Sequence, residues 1–322
     1  MPERTGVIAW IDREQESLLR DVLSAGQLRL AALGSPQSGP TRQLLDETGA
    51  IHLTDLRVAI GERADRESDD ILLLASSTHI DADLRRLVCG LSLRTFVIEP
   101  QFGSVTEMSD DPLLARLPTF VPLARRCAGY RAATEAMRQF GQPQCVNVFF
   151  RGGLGHGTLT ARLFDAMDVV LDLCGPIEAV NAALSGPLQN VPDELPDLRG
   201  HMTINIRFKP NRCACAALSD SAGGWFRGIT VLGDGGCMRI SETGFEWIGP
   251  DGTMIDQLHE PPQRTPGGQI GLQIRRVLDG KDHSQSPPDC LTLVTLCEAA
   301  RLSCLTGQDE TPAKLKEMLA RP

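Results

Sequence analysis

The sequence is poor in aromatic residues and in clustered positive charge, and it has no long apolar run. Aromatic residues make up only 4% of the 322 residues, so Leu, Val, Ile and Ala must fill the core. A net charge of −9 argues against nucleic acid as a partner, because such a surface needs clustered Lys and Arg. No apolar run approaches the roughly 20 residues that span a bilayer, and the first residues lack a signal peptide's apolar core. We therefore predict a cytoplasmic protein that contacts no membrane.

A second pair of cysteines at metal-ligand spacing is also missing. Ten cysteines are scattered along the chain, which is typical of reduced thiols in a cytoplasm. Cys213 and Cys215 form a C-x-C pair on a predicted strand, where both thiols face one side. We interpret them as buried small hydrophobic side chains, with metal binding as the alternative. No metal site is predicted.

Hydrophobic patterning divides the chain into two parts. Over residues 1–121, short apolar runs such as 6–10 (GVIAW) and 70–75 (DILLLA) alternate with amphipathic stretches. This alternation predicts an α/β domain with a doubly wound, Rossmann-type parallel sheet. Over residues 122–322, longer strands follow one another with few helices between them. That pattern predicts an α+β domain with a large, mainly antiparallel open sheet.

The first strand-to-helix turn lacks glycine. A dinucleotide site needs glycine there, because the backbone must approach a pyrophosphate that sits on the helix N-terminus. The turn reads Ala9-Trp10-Ile11-Asp12-Arg13, in which Trp10 blocks close approach and Asp12 repels phosphate. The second predicted strand ends in Gly34-Ser35-Pro36 and offers no acid for ribose hydroxyls.

A glycine-rich loop does occur later, at residues 151–158 (RGGLGHGT). Its free amides, with Arg151 and His156, could cradle an anion where the loop opens a long helix. The alternative is a tight turn with close helix–sheet packing. Further along this helix, Arg162 and Asp165 share a face at i, i+3, where they form either a simple ion pair or part of a ligand site.

Five segments together resemble the Gfo/Idh/MocA oxidoreductases, the glucose-fructose oxidoreductase and inositol dehydrogenase group. The resemblance covers almost the whole chain. The segments are similar in order and spacing to the family's Thr-Pro-x-x-x-His, Glu-Lys-Pro, Gly-Gly-x-x-x-Asp-x-x-x-His, glycine-rich turn and C-terminal Glu-Ala-x-x-x-Ser-x-x-x-Gly motifs. They are residues 75–79, 96–100, 156–176, 223–236 and 297–307.

This resemblance implies an NAD or NADP cofactor, a sugar-like or polyol substrate, and a sheet domain that makes a homodimer or higher homo-oligomer. The implied site departs from the family pattern at its catalytic positions. Glu99 is followed directly by Pro100 without the motif lysine, Ala161 replaces the motif Asp, and Asp165 replaces the motif His. An alcohol being oxidised needs a base of suitable pKa beside its hydroxyl, and Ala161 cannot ionise.

Candidate residues follow from these positions. Glu99, Asp165 and His79 are the candidate catalytic groups, and Arg151, His156 and Arg162 are the candidate anion or substrate ligands. The positions that would face a cofactor are Ala9, Trp10, Ser35 and Ser76.

Three functional hypotheses stay open. The first is an oxidoreductase homologue with a degenerate cofactor loop and catalytic motif, acting on or binding a sugar-type metabolite. The second is an inactive binding or scaffold homologue that oligomerises through the open sheet. The third is a nicotinamide-free enzyme that uses carboxylate and His groups in a cleft between the domains.

Overall fold

The computed structural model contains two compact units. The first comprises Met1–Pro122, Leu154–Gly157 and Arg264–Cys290, and the second comprises Leu123–Gly153, Thr158–Gln263 and Leu291–Pro322. The structure describes residues 5–36, 42–64, 70–78, 80–90, 93–102, 104–111, 113–114, 118–153, 155–187, 189–259, 265–281 and 289–319. Within these ranges, no helix is long and apolar enough to cross a membrane.

The first unit is built on a six-stranded sheet. Its strands are β1 Gly6–Trp10, β2 Arg29–Gly34, β3 Ile51–Leu53, β4 Ile71–Leu74, β5 Arg94–Val97 and β6 Thr119–Phe120. They lie in the order β3-β2-β1-β4-β5-β6, and every neighbouring pair is parallel. This is the strand order of a doubly wound Rossmann sheet, so the fold predicted for the first domain is confirmed.

Helices connect and cover the strands of both units. Within the described residues they are α1 Glu16–Gly26, α2 Arg42–Thr48, α3 Leu56–Ala64, α4 Ala82–Gly90, α5 Val105–Asp110, α6 Ala128–Phe140, α7 Leu159–Cys174, α8 Pro266–Leu278, α9 Cys290–Thr306 and α10 Pro312–Leu319. The first helix is amphipathic, because Leu18, Leu19 and Val22 fall on one face and are buried in the core beneath the sheet. It ends at Gln27, whose left-handed backbone (φ 52°) closes the last turn.

The eighth helix packs tightly against α1 in the first unit. A methyl group on Gly271 would lie 2.4 Å from the carbonyl oxygen of Val22, so glycine is required for this approach. Ile270 and Ile274 complete the same hydrophobic core. The predicted boundary at residues 121 and 122 assigned this segment to the second domain. The structure instead packs it on α1, because its apolar face is buried there.

The second unit is built on an eight-stranded sheet. Its strands are β7 Pro143–Arg151, β8 Ala179–Ser185, β9 His201–Phe208, β10 Arg212–Ser219, β11 Phe226–Gly233, β12 Gly236–Ser241, β13 Gly244–Ile248 and β14 Met254–His259. Their order is β14-β13-β12-β11-β7-β10-β9-β8. Only the β7–β10 pair is parallel among these strands, so the predicted mainly antiparallel open sheet is confirmed.

The two faces of this sheet differ. Along β7, Val146, Val148 and Phe150 are buried on the face that α7 covers, whereas Phe149 and Arg151 are exposed on the opposite face, here called the open face. The start of α7 is fixed by Asp220, whose carboxylate accepts the Leu159 amide at 3.1 Å. This helix is buried along most of its length, so its charged residues lie inside the unit.

Candidate functional site

The first candidate site lies at the carboxyl ends of β1 and β4, before the N-terminus of α1. In a doubly wound sheet this edge is where ligands bind. The carbonyl oxygen of Trp10 accepts the amides of Ala75 at 2.9 Å and Ser76 at 3.1 Å, so the two strand ends are bonded to each other. Ala9 is buried completely within β1, and its side chain belongs to the core.

Asp12 is the centre of this edge. Its side chain is 2% exposed, and one carboxylate oxygen accepts the Ser76 hydroxyl at 2.6 Å. The other oxygen accepts both the amide and the hydroxyl of Ser77, each at 2.7 Å. The carboxylate therefore occupies three donors at the end of β4.

Gln15 closes the same network from the helix side. Its amide oxygen accepts the backbone amide of Asp12 at 2.9 Å, and its amide nitrogen donates to the carbonyl of Ala75 at 2.6 Å. Gln15 is 2% exposed, so both bonds are shielded from water. We call the set Asp12, Gln15, Ser76 and Ser77 the Asp12 network.

Trp10 covers the end of the neighbouring strand. A methyl group on Gly34, the last residue of β2, would lie 2.3 Å from the Trp10 ring. The glycine therefore leaves room for the indole rather than for a ligand. Ser35 follows it and is half-buried.

The other predicted residues of the first unit are Glu99, His79 and His156. Glu99 is 5% exposed and follows β5 by two residues, so it is buried near the carboxyl end of its strand. His79 lies outside the described residues. His156 belongs to the loop whose Gly155 (φ 82°) rests on the backbone of Glu14, with a methyl at Gly155 lying 3.1 Å from the Glu14 carbonyl. The catalytic and anion-binding roles of these residues stay predictions.

The second candidate site is the row of charged residues that faces inward along α7. Asp165 is fully buried, and its carboxylate accepts the Ala124 amide at 2.8 Å and an Arg227 guanidinium nitrogen at 2.8 Å. Burial raises the pKa of the Asp165 carboxyl, and Arg227 opposes that rise. The guanidinium of Arg227 also donates to Glu242 at 2.7 Å. Asp165 is thus one member of a buried ion-pair network.

One turn further along α7, a second pair repeats this arrangement. Arg125 donates to both oxygens of the Asp168 carboxylate, at 2.5 and 2.8 Å, and to Asp172 at 3.2 Å. Tyr130 donates its hydroxyl to Asp172 at 2.7 Å. Burial raises the pKa of Asp168 to about 6, although Arg125 favours the charged form.

Arg162 and Arg151 lie on different faces of the sheet. Arg162 is 1% exposed, stacks 4.2 Å from the centre of the Trp225 ring and fills the space that a Gly152 side chain would take. Arg151 is exposed on the open face, with its guanidinium over the rings of Phe149 and Phe226. The structure therefore does not bring these two predicted anion ligands together.

The sequence reasoning missed the partners of Asp12, Asp165 and Asp168. Ser77, Gln15, Arg227 and Arg125 were not among the candidate residues. Gln15, three residues after Asp12 at a helix start, carried a detectable capping signal. The other three are distant in sequence from the carboxylates that they contact.

Comparison with known proteins supports the fold. No family model matches the chain, and no curated protein matches it. Among solved structures, a levoglucosan dehydrogenase in complex with NADH and levoglucosan has 13% identity and a TM-score of 0.72, covering 96% of this chain and 99% of its own. GenD2 from gentamicin A biosynthesis, in complex with NAD, has 19% identity and a TM-score of 0.69, covering 97% of each chain.

A third solved structure agrees with these two. An oxidoreductase from Agrobacterium radiobacter, in complex with NAD⁺, L-tartaric acid and magnesium, has 15% identity and a TM-score of 0.68. The match covers 97% of this chain and all of that one. The resemblance predicted from the sequence motifs is thereby confirmed at the level of the fold: this chain has the two-domain fold of the Gfo/Idh/MocA-type NAD-dependent dehydrogenases.

Proposed function

We propose that this chain is a nicotinamide-independent homologue of the sugar dehydrogenases, and that it works as a binding or scaffold protein that self-associates through the open face. The observation that carries the proposal is the Asp12 network. A helix N-terminus at this sheet edge is a favourable place for an anion. Here a carboxylate of the chain itself takes that place.

The Asp12 network disfavours a dinucleotide in two ways. The Ser76 hydroxyl and the Ser77 amide, which could donate to phosphate oxygens, already donate to Asp12. A pyrophosphate placed there would also meet a buried negative charge, and like charges at contact distance in a shielded site repel strongly. The residues present do not fit a pyrophosphate in this turn.

The pairing of Asp165 supports the same proposal. A general base must reach the proton that it removes and must be free to accept it. Asp165 is fully buried, and its two oxygens accept from the Ala124 amide and from Arg227. The carboxylate at the position implied by the family motif is therefore better suited to hold α7 in place than to take a proton from an alcohol.

The open face supports the scaffold part of the proposal. Phe149 and Phe226 are 45% and 42% exposed, and their rings lie 5.7 Å apart. They line a groove of about 430 Å³ that extends from β7 to the edge strand β14. Exposed aromatic side chains grouped on one face of an open sheet are typical of an interface, since an open sheet buries only one face by itself.

The oxidoreductase hypothesis is the second candidate. It is favoured by the solved structures of similar fold, which include a levoglucosan dehydrogenase in complex with NADH and levoglucosan. It requires that a nicotinamide cofactor bind without the usual turn, and that Glu99 or another buried group serve as the base. An enzyme that uses Glu99 without nicotinamide is the third candidate, since this carboxylate is buried near the carboxyl end of β5.

A turnover assay separates the first proposal from the second. Purified protein is incubated with NAD⁺ or NADP⁺ and with levoglucosan, myo-inositol and other polyols, and NAD(P)H absorbance is followed. We expect no reduction of either cofactor. Reduction that depends on both protein and polyol, and that is lost in a Glu99→Gln variant, would instead establish the oxidoreductase.

Sedimentation velocity tests the self-association. We expect an oligomer for the wild type and a monomer for Phe149→Glu, because a charge in the apolar centre of an interface is costly. Val58→Glu is the matched control, since Val58 is 55% exposed on α3 of the other unit. A wild-type monomer at high concentration would contradict the proposed interface.

A further inference from the structure

Three cysteines lie together on the open face of the second unit, on the two central parallel strands. The register places Cys213 of β10 directly beside Cys145 of β7, and Cys215 beside Asn147. Side chains alternate along β10, so Ala214 is buried while Cys213 and Cys215 are exposed, and the prediction that these two cysteines are buried is wrong. The thiols therefore share one surface of the sheet.

The contacts among these side chains are specific. The neighbouring Cys213 thiol contributes to a raised pKa of Cys145, which places the two thiols close to each other. Cys215 instead donates to the side-chain oxygen of Asn147 at 2.7 Å. Neighbouring strands lie about 4.8 Å apart, and a disulfide spans Cα atoms separated by roughly 4.4–6.8 Å. Cys145 and Cys213 thus meet the first geometric condition for a disulfide.

The pairing of Cys213 with Cys215 is much less favourable. The two residues are separated by two positions on one extended strand, and their side chains point the same way. Their Cβ atoms are then about 6.6 Å apart, well beyond the roughly 3.5–4.5 Å of a disulfide. The C-x-C pair of the sequence is therefore not the reactive pair.

We propose that Cys145 and Cys213 form a dithiol site that a low-molecular-weight disulfide converts reversibly into a protein disulfide. This inference does not rest on the proposed function, because it depends only on the register of two strands and on the exposure of their thiols.

The reaction is an exchange in two steps. The exposed Cys213, as its thiolate, attacks one sulfur of the small disulfide, and the first small thiolate leaves. Cys145 then loses its proton and attacks the Cys213 sulfur of the mixed disulfide, expelling the second small thiolate. The protein loses two protons and two electrons, and the small disulfide gains them as two thiols.

The order of the steps follows from the surroundings of each sulfur. Burial, with a smaller contribution from Cys213, raises the pKa of the Cys145 thiol to about 11. Cys145 is half-buried and Cys213 is exposed, so an external disulfide reaches Cys213 first. Since the thiolate is the attacking species, Cys145 is suited to the second, intramolecular step.

Oxidised glutathione is the probe that tests the site. The native protein is incubated with oxidised glutathione, alkylated, and digested with trypsin without reduction. The Phe149→Glu variant is treated in the same way, because it keeps the open face accessible if the wild type self-associates. We expect a disulfide-linked pair of the peptides 139–151 and 213–227. Dithiothreitol should separate the pair.

Three variants assign the sulfur atoms. Cys215→Ser should still give the linked peptides, whereas Cys213→Ser should not. Cys145→Ser should stop at a stable glutathione adduct on Cys213. Thermal melting of each variant confirms that it is folded. The proposal is overturned if neither protein forms the linked peptides, if only adducts accumulate in both, or if Cys213→Ser links as well as the wild type.

Discussion

At the scale of single residues, Asp12 joins two strand ends by accepting three hydrogen bonds with one buried carboxylate. We predict that Asp12→Ala lowers the free energy of unfolding by about 2–3 kcal/mol, because buried donors on Ser76 and Ser77 lose a charged acceptor. Asp12→Asn keeps one acceptor oxygen and should cost about half as much. Urea unfolding of each protein, followed by a spectroscopic signal from the first unit, measures the difference in the free energy of unfolding.

The matched control for this prediction is Asp46→Ala. Asp46 is an exposed carboxylate on α2, and surface substitutions usually change stability by less than about 0.5 kcal/mol. Equal effects at Asp12 and Asp46 would show that the Asp12 network contributes nothing to the native state.

Asp168 makes the stability of the native state depend on pH. Its folded pKa is raised to about 6 by burial, whereas an unfolded Asp titrates near 3.9. Between these values the native state binds a proton that the unfolded state does not, so this group's contribution to stability falls as pH rises through the window. We predict that the stability advantage of wild type over Asp168→Asn is about 1–3 kcal/mol larger at pH 4 than at pH 7.5.

Chemical unfolding of both proteins at the two pH values tests this sign. An advantage that grows from pH 4 to pH 7.5 would mean that attraction to Arg125 outweighs burial, and that the folded pKa lies below 3.9. The Asp46→Asn variant, at an exposed position on α2, should show the same difference from wild type at both pH values.

At the scale of secondary-structure elements, α8 shows how glycine allows two helices to touch. We predict that Gly271→Ala destabilises the protein by about 1–3 kcal/mol, because the new methyl would lie 2.4 Å from the Val22 carbonyl in α1. Gly61→Ala in α3 is the matched control. It has open space around the added methyl and should be neutral or stabilising by up to about 1 kcal/mol. Thermal unfolding of both variants distinguishes them, and equal destabilisation would contradict this account of the packing.

The elements that the sequence predicted are those with a strong local pattern. The strand at Gly6–Trp10 is a continuous apolar run and has the bounds that its sequence indicates. By contrast, β6 has only two residues, and its strand character comes from pairing with β5. The eighth helix was missed because its glycines are poor helix formers, and only packing against α1 explains them.

At the scale of the whole molecule, strand order was beyond the reach of local pattern. Strands that follow one another along the chain commonly pair in sequence order, yet β7 lies between β11 and β10 and runs parallel to β10. The candidate site also combines a feature that local sequence predicts with partners that only the fold brings near. The sequence predicted that Asp12 would repel phosphate, but its partners Ser76 and Ser77 lie 64 and 65 residues away. Only the pairing of β1 with β4 brings them together.

We infer that the Asp12 network leaves no place for a pyrophosphate at the end of β1. Isothermal titration of NADH into the wild-type protein, with NADPH titrated in parallel, tests it most directly. We predict no saturable heat up to millimolar cofactor. Saturable binding with a micromolar Kd would contradict it, because the pyrophosphate would then be held despite the buried carboxylate.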